Sequence, residues 1–260
     1  MLWRKAWLET RLRFFMGVAM TVCLTAFFVF GNPLIVRQWQ MDHQLHPEWN
    51  DPAWLYRAMW DYPFFIWHFL FGYMLQQLWV LFALLLGFGG LSRESAQGVA
   101  GFTLSLPVSR RRLILTRAVI GGAEIIALGV LSALTVSALS LFIGKEYPLA
   151  QAFAHGLLMV AGGLIFYSLA MFLSNVIQGE HTPTLIGVTL VAFLYFIVQP
   201  YVDGPPAPIY VRLVNVSKVM AGPPYIKAAL EVPWTGLLMS LLAAAALLYS
   251  SLKITERKDY

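Results

Sequence analysis

His43 and His46 lie three residues apart, and Glu48 and Asp51 follow them. On a helix that spacing sets both imidazoles on one face, with carboxylates close behind. These are ligand types that zinc or copper accepts, but two histidines without a third fixed ligand fall short of a metal site. Interfacial segments rich in aromatics also carry such histidines, and His68, His155 and His181 are scattered in a way that suits local hydrogen bonds. Cys23 is the only cysteine, which excludes a disulfide within the chain and a thiolate cluster. No Ser/His/Asp group or paired-carboxylate site stands out. A phosphate-binding loop needs G-x-x-x-x-G-K-[ST], and the one Gly-Lys pair, Gly144-Lys145, is followed by Glu146 and has Leu139 at the first glycine's place. No nucleotide, metal or other cofactor is expected on this chain.

Glu124 is the one charge between Arg117 and Lys145, within an apolar run. An acid inside a membrane is costly against lipid, roughly 3 kcal/mol, so it must face protein or a water-filled path. Arg117 lies seven residues earlier on the same helical face, and Gln76 and Gln77 lie in another apolar run. These polar groups read either as lining of a path or as hydrogen-bond anchors between helices. Gly129, Ala133 and Ser137 form a ladder of small residues that lets a helix approach closely, within the chain or at a dimer seam.

The elements that hold these residues follow from composition. The chain has 260 residues, 59% hydrophobic and 12% charged, which is too little polar surface to cover a water-soluble globule. Uncharged runs divide it into six expected transmembrane helices near 14–33, 64–91, 113–143, 152–174, 183–200 and 234–252, one membrane domain over 1–260. Backbone groups in lipid must bond internally, and runs this long exclude alternating barrel strands, so the fold class is all-α. With the N-terminus inside, twelve Lys and Arg fall on the inner side and six on the outer side. The positive-inside rule therefore puts both termini in the cytoplasm. That rule also accounts for the net charge of +5, and no basic face of a soluble domain exists to bind nucleic acid. Residues 14–30 are too long for a signal-peptide core and no Ala-x-Ala-like site follows, so they are expected to stay.

Three flanking segments stand out. Residues 2–13 mix Trp3, Trp7 and Leu8 with Arg4, Lys5, Arg11 and Arg13, which suits an amphipathic helix in the headgroup layer. Residues 201–233 carry six prolines around the apolar stretch Ile209 to Val219, which suits a re-entrant pair of short helices on the outer side, shielded by protein. Asn215-Val216-Ser217 within it fits a glycosylation sequon, taken as chance. Between the second and third spans, Ala96, Val99, Phe102 and Leu106 give one apolar face to a short helix that Pro107 ends, and Ser109 can cap the next span. The physics leaves two readings of that segment: a lever that takes force from a soluble partner, or a loop held near anionic lipid by Arg110, Arg111 and Arg112.

The pattern Glu94-x-x-x-Gly98, then Leu104-Ser105-Leu106-Pro107-Val108-Ser109-Arg110-Arg111-Arg112-Leu113, resembles the cytoplasmic signature of ABC-2-type permeases, the membrane subunits of ATP-binding-cassette exporters. Arg117 takes the place of that family's basic residue at the third span, while Gly101 or a neighbour stands where a second acid commonly follows. The resemblance implies a homodimer, or a heterodimer with a similar permease, bound to two ATP-binding subunits that carry the ATP and magnesium. Glu94 to Leu106 would be the coupling helix, with Pro107 and Arg110 to Arg112 at its membrane edge. It implies export across a bacterial inner membrane by alternating access, with hydrolysis on the partner; the scarcity of charge suggests a hydrophobic or amphiphilic substrate. Two other classes share these features: a polytopic metal-handling protein or enzyme using His43 and His46, and a membrane scaffold that binds an ATPase but transports nothing.

Overall fold

The computed structural model describes residues 2–46, 48–90, 94, 98, 101, 108–195, 215–226 and 231–257. Every regular element among them is a helix. In chain order these are α1 (Leu2–Leu45), α2 (Ala53–Trp60), α3 (Tyr62–Gly87), α4 (Arg110–Phe142), α5 (Leu149–Val176), α6 (Thr182–Phe193), α7 (Val216–Ala221) and α8 (Trp234–Arg257). Five of them, α1, α3, α4, α5 and α8, are long and apolar enough to cross a membrane. The chain is thus a polytopic α-helical membrane protein. The expected fifth span, 183–200, begins as the 12-residue α6, and its last residues lie outside those described.

α1 differs from expectation. The segment 2–13 is helical, but it is not a separate interfacial helix: it runs unbroken into the first span for 44 residues. Its buried face explains this, since Ala6, Thr10, Gly17, Thr21, Thr25, Phe28 and Asn32 form one continuous stripe. At 1.5 Å per residue α1 is about 66 Å long, roughly twice the hydrocarbon thickness, so both ends project. α3 also differs, ending at Gly87 rather than 91, and its residues Ile66–Met74 form wide π-helical turns. Those turns carry Trp67, whose indole Nε1 donates to the carbonyls of Ala221 and Gly222 at 3.1 and 3.2 Å.

α5 is the hub. It packs on α3, α4, α6, α7 and α8, while α1 lies against α3 and α4. Lipid tails give helices no hydrophobic reason to associate, so close approach of small residues must supply the contact. α5 provides it with buried Ala152, Gly156, Gly162, Gly163, Ser168 and Ala170. A Cβ at Gly156 would sit 2.6 Å from the carbonyl oxygen of Gly129, and one at Gly163 would sit 2.3 Å from Trp79. Gly129 and Ala133 of the small-residue ladder are buried against α5, so that ladder seats helices within the chain.

The end of the bundle far from the N-terminus is closed by polar contacts. Lys145, between α4 and α5, donates to Asn32 Oδ1 at 2.7 Å and lies 5.0 Å from the Tyr62 ring centre; burial pushes its pKa below the ordinary lysine value. The Tyr225 hydroxyl donates to Asp61, and the Arg57 guanidinium covers the Phe64 ring at 4.5 Å. Expected outer-segment residues 201–214 lie outside those described, but α7, which follows them, packs on α5 with Val219 and Met220 buried.

Gly156→Ala places a methyl group against backbone, and overpacking of this kind costs about 1–3 kcal/mol. Thermal unfolding of the purified chain should show Gly156→Ala melting below the parent. Gly122→Ala, whose added Cβ meets nothing within 4 Å, should melt at or above it.

Candidate functional site

The last turn of α3 leaves its carbonyls without helical partners, and here that turn meets two arginines. Arg13 of α1 donates through Nη1 to the carbonyls of Leu85 and Phe88 at 2.6 and 2.7 Å. Arg117 of α4 donates through Nη2 to the same Phe88 carbonyl at 3.0 Å. A guanidinium is a planar fork of donors, and a cation at a helix C-terminus also meets the negative end of the macrodipole. Three helices are thereby joined at one carbonyl. Phe88 is extended, and Gly89 and Gly90 follow at φ +128° and +98°. A Cβ on Gly89 would sit 2.1 Å from Arg117 Nη2, so only glycine leaves room for the arginine. The Gly89 amide donates to Ser174 Oγ of α5 at 3.2 Å, and the Tyr167 hydroxyl, also from α5, donates to the Arg117 carbonyl at 3.1 Å.

The chain then leads into the segment between the second and third spans, and its first described residue is tied back to α1. Glu94 Oε1 accepts from Lys5 Nζ at 2.7 Å. Glu9 stands between the two bases, 4.0 Å from Lys5 Nζ and 3.7 Å from Arg117 Nη1. These groups line a cavity of about 50 Å³ walled by Lys5, Glu9, Gly89, Gly90, Glu94 and Arg117. A second cavity of about 150 Å³ is lined by Arg13, Phe88, Gly89, Ser174 and His181.

Glu124 lies two turns beyond Arg117 on α4 and is buried, with Oε1 accepting from the Thr10 hydroxyl at 2.5 Å. Arg117 and Glu124 therefore reach consecutive residues of α1, Glu9 and Thr10. The other polar groups read from the sequence do not join this cluster. Gln76 is buried and donates to the Ser217 carbonyl and hydroxyl at 2.9 and 3.0 Å, tying α3 to α7. Gln77, next to it, is exposed on the outside of the bundle. His43 and His46 belong to different pairs, His43 with Asp51 and His46 with Glu48, and no group of three metal-ligating side chains occurs among the described residues.

Of the expected coupling residues, Phe102, Leu106 and Pro107 lie outside those described, as do Ala96 and Val99. Gly98 has φ +73° with open space where a side chain would be. Ser109 caps α4 as expected, its hydroxyl accepting from the Arg112 amide at 3.3 Å. Arg111 and Arg112 are exposed in that first turn, where the macrodipole disfavours cations. The sequence reading missed Lys5, Glu9, Thr10, Arg13 and Tyr167. The available signal was the Gly89-Gly90 pair after an apolar run, which marks a backbone that needs positive φ or close approach.

A family model described as ABC-2 family transporter protein matches residues 13–254. The chain belongs to the ABC-2 transporter family. No curated protein and no solved structure matches it. Membership makes it a multi-pass membrane permease of an ABC transporter, a transport component that works with an ATP-binding subunit. The three-helix junction at Phe88 thus lies at the root of this permease's segment between the second and third spans.

Gly89→Ala should push Arg117 off the Phe88 carbonyl. We expect faster amide exchange over Leu84–Gly87 and a loss of about 1–3 kcal/mol in thermal stability, as for other residues forced into disfavoured backbone regions. Exchange measured by mass spectrometry on the purified permease checks it.

Proposed function

We propose that the N-terminal end of the bundle is the cytoplasmic end, and that the segment from Glu94 to Leu106 is the lever through which an ATP-binding subunit drives the permease. The observation that carries this reading is the anchorage of the segment's root. Arg13 and Arg117 hold Phe88, and Lys5 holds Glu94, so a displacement of the segment is passed at once to α1, α3 and α4. A loop resting on headgroups would need none of these bonds. Arg111 and Arg112, exposed in the first turn of α4 where the macrodipole disfavours cations, suit an acidic partner surface there.

The working unit in this reading is two permease copies, or one with a similar chain, on two ATP-binding subunits that hold ATP and magnesium. Closure of those subunits moves the levers, and the spans alternate between inward-open and outward-open arrangements to export substrate from the cytoplasm of a bacterium. The exposed Gln77 amide near the middle of α3 would be unsatisfied in lipid, so we assign it to the path between copies, and Gln76 and Glu124 to anchoring. Exposed apolar side chains along α1 and α8, with few charges, suit a hydrophobic or amphiphilic substrate.

The test is co-purification with a cassette ATPase and ATP-dependent uptake into inverted vesicles. Lys5→Glu and Glu94→Lys should each lower uptake about tenfold while leaving membrane insertion intact, and the double exchange should recover most of it, since paired residues couple by about 0.5–3 kcal/mol. Equal losses in the single and double variants would refute the lever. Stimulated hydrolysis without uptake would leave a scaffold. Reversal of Arg110, Arg111 and Arg112 to Glu should separate hydrolysis from uptake.

A further inference from the structure

The projecting end of α1 carries a second polar constellation that the transport reading does not use. Beyond Arg37 the helix continues as Gln38 to Leu45, outside the apolar run, and the connection to α2 folds back against it. His43 is the centre of the contact. Its Nδ1 lies 3.1 Å from the carbonyl oxygen of Trp39, an acceptor with no proton to offer, so Nδ1 carries a hydrogen and donates it. Its Nε2 faces two different groups. One is Asp51 Oδ2 at 3.2 Å, on the connection, and the other is the Tyr56 hydroxyl at 3.3 Å, on α2. The same Asp51 oxygen accepts from Trp39 Nε1 at 2.8 Å, and the imidazole lies over the Trp39 indole with ring centres 4.1 Å apart. Asp42, next to His43 in the chain, accepts from Gln38, while His46 pairs with Glu48 and stacks on Trp49.

Nε2 meets these two neighbours differently in its two protonation states. A protonated Nε2 donates to the Asp51 carboxylate, and the positive ring and negative carboxylate then balance. A bare Nε2 points a lone pair at a carboxylate oxygen, and among the described residues the donor that faces it is the Tyr56 hydroxyl. We propose that His43 is a proton-operated clasp: with the proton it holds the connection through Asp51, and without it the ring bonds to α2 through Tyr56. Nδ1 keeps its bond to Trp39 in both states, so the exchange changes one hydrogen bond and one ion pair without moving the helix. The ion pair requires the protonated ring, so its contribution is present while His43 carries the proton and is lost when the proton leaves as pH rises.

The full chain in nanodiscs of uncharged phosphatidylcholine tests this without a surface charge to distort local pH. Amide exchange over residues 48–51, corrected for intrinsic rate, is followed from pH 5.5 to 8.5. The parent should be about fivefold more protected at pH 5.5 than at 8.5, the effect of one partly exposed ion pair. His43→Gln should abolish the pH dependence, and so should Asp51→Asn, which keeps the imidazole in place. His46→Gln should keep it. Tyr56→Phe removes the donor to the neutral ring and should move the midpoint to higher pH. Equal protection at both pH values in the parent, an unchanged profile in His43→Gln, its loss in His46→Gln, or an unmoved midpoint in Tyr56→Phe would each overturn the clasp.

Discussion

One carbonyl oxygen, that of Phe88, organises the N-terminal end of this permease. A helix that ends beside a membrane has carbonyls that neither lipid nor the next turn can satisfy, and each costs several kcal/mol if left bare. Here two arginines meet them, one from the first span and one from the third. The arrangement dictates much around it. Gly89 must be glycine because an arginine occupies the space of its side chain. Residues 2–13 must continue the first span as one rod, because Arg13 reaches α3 only from that position. Arg117 must be approached by acid, and Glu9 supplies it.

The remainder of the fold follows from the absence of a hydrophobic drive inside lipid. α5 gathers α3, α4, α6, α7 and α8 because its face is nearly bare of side chains at Gly156, Gly162 and Gly163, where backbone and large side chains make contact directly. Polar anchors are then placed where helices already touch. Gln76 fixes α7, Asn175 fixes α8 through Ser251 at 2.6 Å, and Glu124 fixes α1.

The two ends of the bundle use charge differently. At the N-terminal end ion pairs and arginines connect elements far apart in the chain. At the far end the ion pairs are local, His43 with Asp51, His46 with Glu48 and Arg57 with Asp61, while Lys145 and Asp61 make long-range hydrogen bonds with Asn32 and Tyr225.

Residue types and their order were enough to make the chain an all-helical membrane protein, to place most of its spans, to cap α4 with Ser109 and to give Glu124 a protein partner. Each of these depends on the cost of polar groups in lipid or on neighbours within a few residues. Packing alone decided which partner. Glu94 meets Lys5 across 89 positions and Glu124 meets Thr10 across 114, separations at which no spacing rule operates. Gln76 and Gln77 are equivalent as residues, but a helix turns by about 100° from one to the next, so tertiary contact buries the first and leaves the second outside. The unbroken α1 was hidden for the same reason: a basic, aromatic segment suits the headgroup layer in isolation, and only the groove between α3 and α4 holds it upright.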